Sequence, residues 1–266
     1  MFRYIALSIC IFSLSACSTV PITGRSQLNL IPGSSMLSMS LQQYDTFLKE
    51  HKVSTNMEQT QMVKRVGAKI QHAVERYFAS SGLKEQLDNY KWEFNLVEDK
   101  QVNAWCMPGG KVVVYTGILP IAIDDAGLAV VMGHEIAHAI AEHGNERMSQ
   151  GLLAQVGGTA LSTALATKSP ATQQLWMSVY GVGAQYGAIM PYGRMQESEA
   201  DHLGLVFMTM AGYDPNVAIS FWERMAAQKG GKAPAEFLST HPSDATRIAN
   251  IKRLIPEVIS KYAVHH

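Results

Sequence analysis

The sequence predicts an α+β fold that is mostly helical, with a small β-sheet beside one helix of chemical interest. Three observations lead to this prediction. Apolar residues recur at helical spacing over residues 35–87, most clearly over residues 62–78. Residues 111–116 form a short run rich in valine, which is typical of a strand. The pentapeptide His134-Glu135-Ile136-Ala137-His138 lies in an apolar segment for which acidic residues predict a start and Gly144 predicts an end.

The amino terminus has the composition of an export signal. Arg3 precedes an apolar stretch, residues 4–14, that is too short to span a bilayer. The sequence Leu14-Ser15-Ala16-Cys17 matches the lipobox of bacterial lipoproteins. We therefore expect a signal peptide over residues 1–16 and acylation of Cys17. Because Ser18 replaces the aspartate that retains lipoproteins in the inner membrane, we expect an outer-membrane anchor that faces the periplasm. The alternative is a soluble secreted protein cut nearby.

The remaining chain is predicted to hold a lipidated N-terminus and tether over residues 17–34 and a single domain over residues 35–266. Basic and acidic side chains number 22 each, so the charge balance gives no support for nucleic-acid binding. After loss of the signal peptide and acylation of Cys17, only Cys106 remains as a thiol, which excludes an internal disulfide. We expect Cys106 to be a buried, inert thiol, with redox or metal sensing as the alternative.

The valine-rich run is predicted to be a strand with residues 92–97 as its partner. Gly109 and Gly110 just before it allow a tight turn or a close backbone approach. An edge strand at this place could bind an extended peptide by strand addition. An ordinary buried hairpin fits the same pattern equally well.

The histidine pentapeptide has the spacing of a metal site. Residues i and i+4 share one face of a helix, so His134 and His138 can reach one zinc ion while Glu135 stands close to it. This pattern is typical of zinc hydrolases and most often of metalloproteases. The alternative is a core helix with two hydrogen-bonded histidines. His143 is a poor ligand candidate because it is turned away from this face, and a surface or supporting role is expected for it.

A third ligand is expected from a second predicted helix, which starts at Glu197 and ends at Gly212. Glu197 and Asp201 share one face of this helix. Glu197 could complete a three-residue zinc site, and Asp201 could accept a hydrogen bond from a ligating histidine and fix its tautomer. Glu199 is expected to be solvated. The alternative reading is an acidic first turn that is favoured by the helix dipole.

The segment between Arg147 and Arg194 contains one charged residue, Lys168. Two helices that meet at Ser169-Pro170 fit this segment, and its small and polar residues disfavour a membrane span. One hypothesis is a mobile lid over the zinc site, formed by residues 148–193. A plain packed hairpin is the equal alternative.

These motifs together resemble the zinc metalloendopeptidase family that includes the CAAX prenyl proteases, HtpX, and periplasmic lipoproteins of the LoiP and BepA type. The resemblance covers roughly residues 40–255. Besides the pentapeptide and the pair Glu197 and Asp201, it rests on two further motifs, Val102-Asn103-Ala104-Trp105-Cys106-Met107-Pro108-Gly109-Gly110-Lys111 and Ser239-Thr240-His241-Pro242 with Arg247. It implies a zincin-like metallopeptidase fold and one zinc ion per chain.

The resemblance also implies roles for individual residues. His134, His138 and Glu197 would hold zinc, Glu135 would be the catalytic base, and Asp201 would support a ligand. His241 and Arg247 would act late in the site, where His241 could donate to an oxyanion or occupy a zinc position and silence the enzyme. Arg247 could clamp a substrate carbonyl or the reaction intermediate, or pair with Asp244. The substrate strand would include four residues, namely Asn103, Ala104, Gly109 and Gly110.

Expected substrates are unfolded, misfolded or unassembled envelope proteins. The outer membrane is an expected partner through the lipid, and so is the outer-membrane assembly machinery. An alternative from another class is a chaperone-like assembly lipoprotein with a latent or structural zinc site. The presence of Glu135 argues against that alternative, because a structural site needs no base beside the metal.

Overall fold

The computed structural model describes residues 17–185, 189–228, 237, 241 and 245–263. The predicted signal peptide, residues 1–16, lies outside the described residues. The chain divides into two compact units. Unit one comprises Met1–Met36 and Glu142–Glu197, and unit two comprises Leu37–Ala141 and Ser198–His266. The predicted single domain, residues 35–266, therefore contributes to both units.

The described elements follow the predicted α+β order, mostly helical with a small sheet. The strands are β1 (Cys17–Thr19), β2 (Ser26–Leu28), β3 (Glu93–Val97), β4 (Ala104–Met107) and β5 (Lys111–Tyr115). The helices are α1 (Gly33–Glu50), α2 (Met57–Ser80), α3 (Leu119–Ala122), α4 (Asp125–Ile140), α5 (His143–Ala164), α6 (Pro170–Ala184), α7 (Met190–Met210), α8 (Val217–Ala227) and α9 (Ala245–Tyr262). The predicted fold class is confirmed.

Helix α2 is the amphipathic helix that the sequence predicts. The side chain of Asn56 caps it by accepting a hydrogen bond of 3.1 Å from the backbone N–H of Gln59. Its buried residues recur every three or four positions and form one stripe. They are Val63, Val66, Gly67, Ile70, Ala73, Val74 and Phe78. The stripe packs against β3 and α4 within unit two.

The sheet of unit two has the strand order β3-β5-β4. Strand β5 is the strand that the valine-rich run predicts, and β3 is its predicted partner. The two strands are parallel, so they do not form a hairpin. Strand β4 pairs antiparallel with the other side of β5, so the expectation that β5 is an edge strand is wrong. Every residue of β5 is buried, which explains the apolar run that follows Lys111. Among the described strands of this sheet, β3 and β4 are the two edge strands.

Gly109 and Gly110 make the turn between β4 and β5. Their φ angles are 85° and 79°, in the left-handed region that glycine adopts without strain. A Cβ atom on Gly110 would lie 2.7 Å from the ring of Trp92. Glycine is therefore required here both by the turn and by the close approach of the aromatic ring.

Helix α4 carries the histidine pentapeptide and lies in the core of unit two. Asp124 caps it as predicted, because its side chain accepts a hydrogen bond of 2.9 Å from Gly127 N–H. Each residue from Gly127 to Ile140 is buried. The predicted end at Gly144 is wrong. Glu142 adopts a φ of 53° and interrupts the helix, so Gly144 lies in the first turn of α5 instead.

Helix α7 ends as predicted but begins earlier. At its C-terminus, Gly212 has a φ of 85°, and the next N–H, of Tyr213, donates to the carbonyl of Met208 at 2.9 Å. Because the helix starts at Met190, Glu197 is not in its first turn, contrary to the prediction. The turns that precede Glu197 make tertiary contacts, since the buried Gln196 donates a hydrogen bond of 2.6 Å to Glu146.

Unit one contains regular structure where a tether is predicted. Strands β1 and β2 form an antiparallel hairpin in which Cys17 pairs with Leu28. Arg25 beside β2 makes two hydrogen bonds of 2.8 and 2.9 Å to the buried carboxylate of Glu146 in α5. The backbone N–H of Leu30 donates to Ser149. Residues 17–34 are therefore a packed hairpin followed by the start of α1, because these bonds fix them to α5.

Helices α5 and α6 meet at the predicted break. Ser169 caps α6 through a hydrogen bond of 3.3 Å from Thr172 N–H, and Pro170 occupies the first helical position. Tyr180 joins the two helices by donating to the carbonyl of Ala154 at 2.7 Å. None of the described helices is long and apolar enough to cross a membrane. The lid hypothesis for residues 148–193 stays a prediction.

Candidate metal centre

Helix α4 is held against α7 by two glycines. The ideal Cβ of Gly204 in α7 would lie 2.9 Å from the backbone nitrogen of His134. The ideal Cβ of Gly133 in α4 would lie 3.0 Å from the carbonyl oxygen of Gly204. The two backbones therefore approach to a separation that no larger residue permits. This contact fixes His134 relative to the face of α7 that carries Asp201.

Four side chains converge on one point. His134, His138, Glu197 and His241 each offer one ligand atom, and these atoms all lie within 4.8 Å of one another. Glu197 is the residue at which unit one ends, and α7 continues without a break into unit two. His134, His138 and Glu197 are the three ligands that the sequence predicts, and His241 is the predicted late residue.

The ring nitrogens have the spacing that a small metal ion requires. His138 Nε2 lies 3.2 Å from His134 Nε2, and His241 Nδ1 also lies 3.2 Å from His134 Nε2. Tetrahedral zinc with Zn–N bonds of about 2.0–2.1 Å places its ligand atoms about 3.3 Å apart. Three imidazoles and one carboxylate are also the donor types that zinc prefers. The residues of this site therefore fit zinc.

Asp201 supports His134 as predicted. Its Oδ1 lies 3.1 Å from His134 Nδ1, so the carboxylate can accept the N–H and leave Nε2 for a metal. Arg247 binds the same carboxylate through two hydrogen bonds, from Nε at 2.8 Å and from Nη2 at 2.6 Å. Burial opposes the charge on Asp201, but Arg247 and His134 outweigh it and hold the pKa of Asp201 below its usual value. Asp201 is therefore charged at neutral pH.

Arg247 has a second buried contact that the sequence does not predict. Its guanidinium carbon lies 3.4 Å from the centre of the Trp222 ring, the geometry of a cation–π contact. Trp222 also meets the ring of His134 edge-on, with centroids 5.7 Å apart. Arg247 was expected to clamp a substrate carbonyl or to pair with Asp244. Its observed contacts make it a support for Asp201, while its role at a substrate carbonyl stays a prediction. Asp244 lies outside the described residues.

Glu135 and His241 face each other beside the ligand cluster. Glu135 is buried, and its Oε1 lies 3.6 Å from Nε2 of His241. The ring of Phe237 packs against His241 with centroids 4.6 Å apart. An aromatic residue four positions before a site histidine gives no distinctive sequence signal, so Phe237 was missed.

The predicted substrate residues divide between a strand and a turn. Ala104 opens β4, an edge strand that packs against α4 in unit two. Asn103 lies just before it, and its Oδ1 accepts a hydrogen bond from the N–H of Ala104 at 2.9 Å. Gly109 and Gly110 form the turn at the opposite end of β4 and contact Leu37 and the Trp92 ring.

Two further expectations differ from the structure, and a third differs only in the extent of burial. His143 is completely buried in the first turn of α5, which excludes the expected surface role. Glu199 is also buried and is therefore not solvated. Cys106 is partly buried, and burial together with the charge of Glu135 raises the pKa of its thiol, so the thiol is protonated at neutral pH.

The mostly helical fold, and the HEIAH helix with its nearby carboxylate, place this protein in the general class of HExxH metallopeptidases. The sequence profile described as Peptidase family M48 matches residues 64–255. The chain belongs to this family.

The chain is similar to two groups of named proteins. Mitochondrial metalloendopeptidase OMA1 of Schizosaccharomyces pombe is 37% identical over 190 residues, which are 71% of this chain and 52% of that protein. OMA1 of Saccharomyces cerevisiae is 37% identical over 183 residues, or 66% of this chain and 50% of that protein. The beta-barrel assembly-enhancing protease of Yersinia pestis is 31% identical over 165 residues, or 60% of this chain and 34% of that protein. The chain thus spans about half the length of these two OMA1 relatives.

Proposed function

We propose that this protein is a zinc metalloendopeptidase. The observation that carries the proposal is the convergence of His134, His138, Glu197 and His241 within 4.8 Å, beside the carboxylate of Glu135. When bound, a zinc ion would polarise a peptide carbonyl and acidify water at the site. Named metalloendopeptidases among the relatives support the same reaction class.

The side chains around the metal centre have separate tasks in this reaction. Glu135 takes a proton from the attacking water at a carboxylate oxygen and then delivers it to the leaving amine. Asp201 holds His134 in one tautomer through Nδ1, and Arg247 holds Asp201 in place. The edge strand β4 offers backbone groups that can align an extended peptide beside α4.

The position of His241 supports a closed resting state. Its Nδ1 belongs to the ligand cluster together with donors from three other residues. Zinc in proteins is usually four-coordinate, and catalysis requires one position for water or substrate. We propose that His241 must leave the cluster before a peptide bond is cut.

We propose that the enzyme acts on misfolded or unassembled envelope proteins at the periplasmic face of the outer membrane, anchored through acylated Cys17. The amino-terminal sequence of residues 1–18 supports this location. The relatives named as beta-barrel assembly-enhancing proteases support substrates and partners in outer-membrane assembly. The OMA1 relatives carry the word mitochondrial in their names, so they support the chemistry and not this location.

The test is zinc content and cleavage of unfolded casein by the wild type, Glu135→Gln and Glu197→Ala. We expect Glu135→Gln to keep the metal and lose about 10²–10⁴-fold in cleavage rate, because the proton acceptor is gone. We expect Glu197→Ala to lose metal. Glu223→Gln, at an exposed glutamate, is the control and should retain both. Full cleavage by Glu135→Gln, or a wild type that binds no zinc, would overturn the proposal.

A role in assembly without cleavage is the second candidate, and the assembly-enhancing relatives favour testing it. In cells that lack the protein, Glu135→Gln would separate the two roles. Restoration of envelope integrity by this variant would assign the function to binding, whereas failure of the variant with normal protein abundance would assign it to proteolysis.

A further inference from the structure

Unit one contains a half-open cavity of about 680 Å³. The cavity is formed by β2, α5, α6 and the start of α7, all within this unit. Its volume lies in the range of about 300–1,000 Å³ that is typical of small-molecule sites. It is lined by Ser26, Gln27, Leu28, Glu146, Gln150, Leu153, Ala154, Tyr180, Gly183, Ala184, Ile189 and Tyr192.

The lining is apolar and electrically neutral. Among its described residues, Glu146 is the only one from the set Asp, Glu, Lys, Arg and His. Arg25 forms a bidentate pair with that carboxylate at 2.8 and 2.9 Å, and Gln196 also donates to it. The hydroxyl of Tyr180 is engaged by the carbonyl of Ala154. A charged ligand would find no opposite charge here, while an apolar chain would displace water from apolar walls.

The surrounding helices extend this neutral character. From residue 148 to residue 193 the one charged side chain is Lys168. Helix α6 has no buried residue among those described, and exposed apolar side chains project from it and from α5. The cavity therefore lies in a part of unit one that can accept lipid without burying charge.

The predicted lipidation site lies at the wall of the cavity. In the β1–β2 hairpin the Cα of Cys17 is directly opposite that of Leu28. Opposed Cα atoms in an antiparallel pair are about 4.5–5.5 Å apart. Because Leu28 lines the cavity, the backbone of Cys17 lies beside the cavity wall.

We propose that this cavity binds one lipid acyl chain, and that the chain attached to Cys17 is its occupant. The source of the chain rests on the proposed lipidation of Cys17, but the capacity of the cavity does not. Binding would hold the anchor against unit one and fix the β1–β2 hairpin, so that one acyl chain stays with the protein while others enter the membrane.

The test uses two mature forms of the protein. One is acylated in its native way, and the other carries Cys17→Ala and is exported behind an ordinary secretory signal. Each is titrated with cis-parinaric acid, whose fluorescence rises in apolar surroundings, and palmitate is the competitor. We expect the unacylated form to bind about one probe per chain, and the acylated form to bind it at least about tenfold more weakly because its own chain fills the site.

Matched glycine variants of the unacylated form locate the binding. Gly183 lines the cavity and Gly181 lies on the same helix outside it, and an added Cβ meets no atom within 4 Å at either position. We expect Gly183→Leu to weaken probe binding by at least about tenfold, and Gly181→Leu to change it by less than about twofold.

A second matched pair keeps the test informative if a glycine variant folds poorly. Leu153→Asp changes a lining residue that is 50% exposed, and Val156→Asp changes a residue outside the lining that is 66% exposed. The first substitution should weaken binding and the second should not.

Each adverse result has a distinct meaning. Unsaturable binding to the unacylated form, or equal losses in both members of each pair, would overturn the acyl-chain site. Equal binding by the acylated and unacylated forms would overturn Cys17 as the source and assign the site to a free lipid. The intact mass of the native form shows whether Cys17 is acylated, so a failure of the proposed lipidation is recognised separately. Casein cleavage is expected to be unchanged in all these variants and reports on the protease independently.

Discussion

Replacing Arg247 by methionine removes one partner of a buried ion pair in unit two. The side chains of Arg247 and Asp201 are each 6% exposed, and two hydrogen bonds join them at 2.6 and 2.8 Å. Removing one partner of such a pair costs about 3–5 kcal/mol, because the other charge stays buried without its counterion. For a protein of this size we expect the Tm to fall by roughly 6–20 °C.

The assay is chemical and thermal unfolding of the wild type and of Arg247→Met. Lys252→Met is the control on the same helix, α9. The Lys252–Glu223 pair is 3.8 Å long, and its side chains are 54% and 55% exposed, so its loss should change stability by no more than about 0.5 kcal/mol. A double variant, Asp201→Asn with Arg247→Met, should cost about 1–3 kcal/mol less than the sum of the two single changes.

Two results would refute this reasoning. If Arg247→Met lowered the free energy of unfolding as little as Lys252→Met does, the guanidinium would not be a buried partner of Asp201. Strictly additive costs in the double variant would mean that Asp201 and Arg247 do not stabilise one another, and the support assigned to His134 through them would then fall as well.

Three further predictions concern the helix packing, the Arg65–Asp125 ion pair at the start of α4, and the fourth ligand. Gly204→Ala should destabilise the fold by about 1–3 kcal/mol and weaken metal binding, because the new Cβ would meet the backbone of His134; metal titration and unfolding would show whether both effects occur. Arg65 lowers the pKa of Asp125 through a hydrogen bond. The pair therefore stabilises the folded state at pH values above the unfolded pKa of Asp125, which is about 3.9. This stabilisation is lost as the pH falls through the lower pKa that Asp125 has in the folded state. In Arg65→Gln the acid-side loss of stability should therefore be smaller, as seen in unfolding curves between about pH 5 and pH 2; an unchanged pH dependence would contradict it. His241→Ala should raise the rate of casein cleavage and weaken zinc binding, and a variant with lower cleavage and unchanged zinc affinity would argue for an oxyanion role instead.

The prediction that residues 148–193 form a mobile lid over the zinc site stays a hypothesis. Helices α5 and α6 form a pair within unit one, joined by the bond from Tyr180 to Ala154. Limited proteolysis with and without an active-site inhibitor tests whether residues 148–193 respond to the zinc centre. Identical cutting in both states would contradict a lid.

The elements that the sequence predicts well are those with strong local signals. Helix α2 has an apolar stripe of helical period, β5 has an unbroken valine-rich run, and Asp124 and Gly212 have the chemistry of helix ends. The spacing of His134 and His138 similarly predicts that both rings can reach one metal, because that geometry is internal to one helix.

Errors occurred where distant contacts override local chemistry. The predicted end of α4 and the predicted start of α7 are wrong. Residues 17–34 form a packed hairpin and not the predicted tether, because Arg25 pairs with Glu146, which is 121 positions away. The sequence leaves strand direction open for a similar reason, since the same apolar run fits a parallel or an antiparallel partner.

The sequence by itself determined the chemistry of this protein, through a helix with two histidines and a glutamate and a carboxylate helix downstream. It also indicates an export signal with a lipobox, which stays a prediction. Only the tertiary structure decided which side chains support that chemistry. Trp222 stacks on Arg247, Arg247 holds Asp201, and His241 joins the ligand cluster across more than a hundred residues of chain. Local spacing fixes what one helix presents, whereas the partners of a buried charge are set by packing between helices that are remote in sequence.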